Sequence, residues 1–339
     1  MCAPDSTPIQ SFHVPVCLEA ARKSDRDSLP GRVAGVAVMF AALFLGACGK
    51  PPAPAGGART EIRLTHAWAP DPNTELHFSA VTFADAVATL APGLEVRIYP
   101  QGSLGTEREV YEGMQLGSGA SATVTGTAIL NNFDRRIGVL DLPYLWKDYD
   151  HLHRVLDGEV GRNLSASLEK QGLIVLAWID SCGWRNLITT HKAVTRPEEL
   201  QGLKIRTIPT PIYLAALRMM GANPTPMAYG EVYTGLQTGV IDGFEQASPI
   251  LVAERYYEVA KHITLTRHFL APIVLCYSKA QWDRFSAGDQ AALRQAAIIM
   301  RDQERTQGPA REAAALRTLR EHGMEIHEFD TGTYERESI

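Results

Sequence analysis

A nine-residue pattern occurs twice in this chain: Glu109-Val-Tyr-Glu-Gly-Met-Gln-Leu-Gly117 returns 122 positions later as Glu231-Val-Tyr-Thr-Gly-Leu-Gln-Thr-Gly239, with six identities and one Met/Leu exchange. Each copy reads as a helix whose terminal glycine turns the chain toward a strand. One duplication does not make a solenoid, so it points to two lobes of related design. The alternative is that similar helix-stop chemistry arose twice. Two comparable lobes leave a cleft between them, a favoured place for a small-molecule site.

The segments around the first copy alternate in period. Glu61 to Ala67 reads as a strand, Glu75 to Leu90 as an amphipathic helix, and Leu94 to Tyr99 as a strand closed by Pro100-Gln101-Gly102. The grammar continues with a helix from Glu107 to Leu116, a strand from Ala120 to Val124, a helix after Asp148 and a strand from Leu173 to Ile179. Repeated βαβ units predict an α/β fold with parallel strands. Further on, Thr195-Arg-Pro-Glu198 signals a helix start, Lys204 to Thr207 a strand, and Pro209 to Met220 a helix stopped by Gly221. From Ser286 to Gly323 the pattern is helical but interrupted at Gly308-Pro309. It reads as one long kinked helix crossing both lobes, or as two helices.

The 339 residues carry 45% hydrophobic and 21% charged side chains, which excludes collagen, disorder and a multi-span membrane protein. With 33 basic against 38 acidic residues the net charge is -5. Such a balance gives no general attraction to nucleic acid, and no nucleic-acid partner is expected; an anionic ligand needs locally placed cations.

Arg22, Lys23, Arg26 and Arg32 precede the apolar run Val33 to Leu45, followed by Leu45-Gly-Ala-Cys48. This is the order of a bacterial export signal, with an apolar core too short to span a bilayer comfortably. The last four residues resemble a lipoprotein cleavage box, so residues 1–48 are expected to be a signal peptide, Cys48 the lipidated first residue, and the periplasm the location. Plain signal-peptidase cleavage is the alternative. Residues 49–58 read as a flexible tether.

After Cys48 the cysteines are Cys182 and Cys276, both in apolar stretches where a small buried hydrophobe or a pair is conceivable. No Cys-x-x-Cys, Gly-x-Ser-x-Gly, His-Glu-x-x-His or Walker loop occurs, so no cofactor, metal set or catalytic residue is nominated. Asp148, Asp150, His151 and His153 read as a solvated helix start. Arg185 and Arg206 stand out instead. Each is expected at the carboxyl end of an apolar strand, where open α/β sheets bind ligands, and a guanidinium fork can hold a carboxylate through two hydrogen bonds. A structural ion pair is the other use for such an arginine.

The run from Lys204-Ile-Arg-Thr-Ile-Pro-Thr-Pro through Asn223-Pro-Thr-Pro-Met-Ala-Tyr229 to Asp242-Gly243 resembles the solute-binding subunits of tripartite ATP-independent periplasmic (TRAP) transporters of the dicarboxylate-receptor type. Tyr99-Pro-Gln-Gly-Ser-Leu-Gly105, Leu142-Pro-Tyr-Leu145 and Tyr256-Tyr-Glu-Val extend the likeness over most of residues 60 to 325. The resemblance implies a two-lobed periplasmic-binding-protein-like fold that binds an organic acid anion and delivers it to small and large membrane subunits, without chemistry on the ligand. It implies that Arg206 grips the carboxylate, with Arg185, Glu107 and Thr125 nearby and Tyr229 covering the ligand. Where many members carry Asn, Asp242-Gly-Phe-Glu245-Gln246 places Gln246, so a C4-dicarboxylate is not implied. His66 or Trp68 occupies the exit of the first strand. An exported enzyme using Glu107, Glu245 or His66 as acid or base, or the binding subunit of another importer class, are the alternatives. Lobe one is assigned 59–182 plus 272–308 and lobe two 183–271 plus 309–339.

Overall fold

The computed structural model describes residues 59–180 and 183–330. The export signal, Cys48, the tether and Cys182 lie outside the described residues. The strands are β1 (Thr60–Thr65), β2 (Leu94–Tyr99), β3 (Ala122–Gly126), β4 (Leu173–Ile179), β5 (Arg185–Thr189), β6 (Lys204–Thr207), β7 (Asn223–Pro226), β8 (Gly243–Ala247), β9 (His262–Phe269), β10 (Ile273–Ser278) and β11 (Glu325–Glu328). The α-helices are α1 (Glu75–Leu90), α2 (Glu107–Gln115), α3 (Tyr149–Asp157), α4 (Glu159–Lys170), α5 (Pro211–Met219), α6 (Val232–Gln237), α7 (Ser248–Ala253), α8 (Lys279–Trp282) and α9 (Ala287–Glu321).

Two mixed sheets form, in the orders β2-β1-β3-β10-β4 and β7-β6-β8-β5-β9-β11. In each, the first three strands come from a βαβαβ unit, with the first strand of the unit parallel to both others. The repeated nonapeptide is the second helix of each unit. Its Glu109 accepts from the Thr106 backbone N at 2.8 Å, and its copy Glu231 accepts from Ala228 N at 3.2 Å. Gly117 and Gly239 close the two helices at φ 70 and 73, a left-handed turn that a Cβ disfavours.

The expectation of parallel strands fails at β10 and β5, each antiparallel to both its neighbours. Both strands arrive from the other sheet: β4 ends at Ile179 and β5 begins at Arg185, while β9 ends at Phe269 and β10 begins at Ile273. A chain crossing from one sheet to the other enters at the end where the parallel strands finish, and so runs backward. For the same reason Arg185 opens a strand instead of following one. Arg206 is the penultimate residue of β6, at the carboxyl end of its strand as expected.

Helix α1 buries Leu76, Ala80, Phe83 and Val87 at spacings of three and four and stops before Pro92-Gly93. Leu76, Phe83 and Val87 each contribute roughly 1.5–3 kcal/mol by leaving water. Helix α9 is a single 35-residue element, not two, with Pro309 inside it. At 1.5 Å per residue it is about 52 Å long. Leu293, Ala296, Ala297 and Met300 pack into the core of the first sheet, and Leu319 into that of the second. Cys276 is a free, buried thiol in β10, its pKa pushed up to about 12 by desolvation.

Candidate functional site

In an open parallel sheet a crevice opens where the strand order reverses, outside the carboxyl ends of the first and third strands of the unit. Here two such reversals, β1/β3 and β6/β8, line one pocket of about 50 Å³. The first sheet supplies Trp68 after β1, Glu107 at the start of α2, Gly126 and Ala128 at the end of β3, and Ile273. The second supplies Arg185, Arg206, Ile208, Tyr213, Tyr229 and Gln246. Glu107 and Tyr229 each stand two residues before the capping glutamate of their repeat.

Arg206 is 2% exposed. Its Nε and Nη2 donate to the Met227 carbonyl at 3.0 and 2.8 Å, and its Nη1 is buried with no hydrogen-bond partner among the described residues. Among the described residues no carboxylate forms an ion pair with it. Desolvation and then the Arg185 charge lower its pKa, while Glu245, Tyr256 and Glu107 oppose that shift. A guanidinium stays charged throughout. Its carbon lies 5.9 Å from the centre of the Tyr229 ring.

Arg185 is built differently. Its Nε donates to the Glu245 carboxylate, Nη2 to the Glu245 carbonyl at 2.8 Å, and Nη1 to Gln246 Oε1 at 2.9 Å. The same guanidinium lies 5.7 Å from the centre of the Tyr213 ring. Glu245 is fully buried and does not line the pocket, so it positions Arg185 and, through Thr207 Oγ1 at 3.4 Å, ties it to β6. Alternation along β8 sends the neighbouring Gln246 to the pocket instead.

Glu107 accepts from Thr125 Oγ1. Burial raises its pKa, opposed by the Thr125 hydrogen bond and by the charges of Arg206 and Arg185. Thr125 thus touches Glu107 without lining the pocket. His66 also does not line it: its Nε2 lies 3.1 Å from His77 Nδ1 on α1, and desolvation lowers its pKa to about 4. Trp68, not His66, lines the pocket at the exit of β1. Of the acidic helix start, Asp148 caps α3 by accepting from His151 N at 2.6 Å.

The residues missed by sequence reasoning are Tyr213, Ile208 and the wall of Leu76, Gly126, Ala128, Ala271 and Ile273. Tyr213 had a signal: it opens the helix after β6, the position that a strand-order reversal brings to the crevice.

Residues 65–335 match the family described as bacterial extracellular solute-binding protein, family 7. The 2,3-diketo-L-gulonate-binding periplasmic protein YiaO of Escherichia coli is 34% identical over 251 residues, 74% of this chain and 76% of that one. A TRAP periplasmic solute-binding protein from Citrobacter koseri, solved with bound D-glucuronate, is 34% identical over 82% of this chain and 92% of its own, with a TM-score of 0.77. One from Polaromonas, bound to D-erythronate, is 30% identical over 83% and 92%, with a TM-score of 0.78. A pocket at two facing strand-order reversals, with a buried guanidinium and a two-lobed α/β frame shared with these receptors, leads to one assignment: the chain belongs to the family 7 extracellular solute-binding proteins, the receptors of TRAP transporters.

Proposed function

We propose that this protein is a receptor for a hydroxylated organic acid anion, a sugar acid in the first instance, which it delivers to the small and large membrane subunits of a TRAP transporter. The observation that carries the reading is the unpartnered Nη1 of buried Arg206. A buried donor on a charged group is costly to leave unsatisfied, and a carboxylate accepting from the fork relieves that cost. Arg185, held by Glu245, adds positive potential, Gln246 and Glu107 offer polar contacts to hydroxyls, and Tyr229 and Trp68 give apolar faces to a carbon chain. Contacts that bridge the two sheets, Ala69 N to Glu254 at 2.6 Å and Tyr213 to Asp141 at 3.4 Å, support a receptor that closes over its ligand. The hinge then lies where lobe one (59–182 plus 272–308) meets lobe two (183–271 plus 309–339). No chemistry on the ligand is invoked. D-glucuronate, which a 34%-identical receptor binds, is the first probe.

Calorimetry with D-glucuronate, D-erythronate and a C4-dicarboxylate tests this. Removing one partner of a buried charged pair costs about 2–5 kcal/mol, so Arg206→Ala weakens binding of the accepted acid at least roughly thirtyfold. An unchanged affinity in that variant removes Arg206 from the site.

We further infer export through residues 1–48, lipidation at Cys48 and a membrane anchor, with residues 49–58 as the spacer. Metabolic labelling with a palmitate analogue checks this: Cys48→Ala loses the label and leaves the protein in the soluble periplasmic fraction. A label that survives the substitution excludes Cys48.

A further inference from the structure

We propose that a divalent transition metal, zinc being the best match, binds on the far edge of the second sheet through His262, Glu325 and His327. The three side chains come together through strand register. Strand β11 is the edge strand and runs parallel to β9, with Glu325 opposite His262 and His327 opposite Thr264. Residues two apart share a face of a strand, so Glu325 and His327 both stand beside His262. Neither histidine belongs to the ligand pocket.

The distances suit a metal. His262 Nδ1 lies 3.3 Å from His327 Nε2 and 3.5 Å from Glu325 Oε2, and His327 Nε2 lies 3.7 Å from that oxygen. A tetrahedral zinc with bonds of about 2.0–2.1 Å holds its donor atoms about 3.3–3.4 Å apart. The triangle is thus within a few tenths of an ångström of three corners of that tetrahedron, with the fourth open to solvent for water. Both imidazoles are substantially covered, at 14% and 22% side-chain exposure, while Glu325 is 66% exposed and closes the site from outside. Two imidazoles and one carboxylate suit zinc, copper or nickel and are a poor set for magnesium or calcium, which prefer oxygen.

Without a metal, two ring nitrogens at this distance can share a single proton. With one, both present lone pairs to the same cation and Glu325 balances part of its charge. The consequence is mechanical, because β11 follows the end of α9 after three residues. A bound ion fastens that strand to β9, and with it the carboxyl end of the helix that joins both cores.

Calorimetric titration of the full chain with zinc chloride, in the absence of organic acid, tests the site. One ion binds per chain, and His327→Ala and Glu325→Gln each weaken it at least tenfold while calorimetric binding of D-glucuronate stays as in the parent. At free zinc a hundredfold above Kd the melting midpoint of the parent rises by roughly 5 °C, and that rise is lost in His327→Ala. Cobalt gives visible absorption bands of tetrahedral intensity in the parent and not in His327→Ala. Hydrogen exchange of residues 325–328 slows with zinc. Absence of zinc binding overturns the proposal, as does binding that survives both substitutions, which would place the ion at another pair such as His66 and His77.

Discussion

Arg185 donates to Glu245 away from bulk water: the carboxylate is fully buried and the arginine 5% exposed. The acid expected from the sequence as a candidate contact therefore acts through the arginine. Breaking a buried pair leaves an uncompensated charge, which costs about 3–5 kcal/mol. Glu245→Leu is expected to lower the melting midpoint by roughly 6–12 °C, measured by calorimetry, and to weaken acid binding. A variant as stable as the parent would show that Arg185 finds another partner.

Tyr229 offers its ring to Arg206 at 5.9 Å. A desolvated cation over an aromatic face is worth about 0.5–2 kcal/mol, so Tyr229→Leu should lose about that much stability and, with the face it gives the ligand gone, weaken binding of the accepted acid about twofold to thirtyfold. Titration of the purified variant checks this, and an unchanged affinity would remove the ring from the ligand.

Burial raises the pKa of Glu107 beside the pocket, and an incoming anion raises it further by repulsion. Binding then takes up a proton at pH values near the raised pKa, and affinity increases as pH falls toward it. Calorimetry in buffers of different ionisation enthalpy reads this uptake directly. Glu107→Gln removes it; uptake that persists in the variant assigns the proton elsewhere.

His268 is fully buried, accepts or donates through Nδ1 to Thr266 at 2.7 Å, and burial followed by the Arg185 charge lowers its pKa to about 3. Its ordinary value is 6.5, so below that pH the unfolded chain binds a proton that the folded chain refuses. The stability it allows is complete above pH 6.5 and drains away as pH falls toward about 3. Denaturant unfolding of parent and His268→Asn should therefore converge on acidification, in the variant's favour by about 1.4 kcal/mol per pH unit. Parallel pH profiles would refute the assignment.

Gly243 opens β8 where a Cβ would lie 2.3 Å from the Ile188 carbonyl of β5. Gly243→Ala must push apart the strands that carry Arg185, Glu245 and Gln246. Expected are a loss of at least about 2 kcal/mol in urea unfolding and weakened acid binding. Neither effect would appear if the strand edge can move freely.

Much of this was legible because it is local. Helix α1 and strands β2 and β4 fall on their expected bounds, since apolar spacing and flanking Pro and Gly mark them within a few residues. The repeat at Glu109 and Glu231 is legible as sequence, and its meaning, two capped helices at matching places, follows from the same glutamates. What stayed hidden depends on pairing across distance. The antiparallel entry of β5 and β10 is decided by which side of the cleft the chain comes from, a fact that no window of residues holds. His66 and Trp68 are two positions apart at the end of one strand; only the packing of α1, which presents His77, shows which of them is drawn away from the pocket. Met227 holds Arg206 through its backbone carbonyl, a contact that no pattern of side chains reports.

The two exchanges of strands also fix an order of events in biosynthesis. Strand β10 sits between β3 and β4, so those two cannot be joined until residues 273–278 have been made, long after β4 itself. Helix α9, which seals both cores, comes later still. A nascent chain of this design has no half that can finish early, since neither sheet is a contiguous stretch of sequence. Its assembly is non-local, so the polypeptide becomes compact only when the last third arrives.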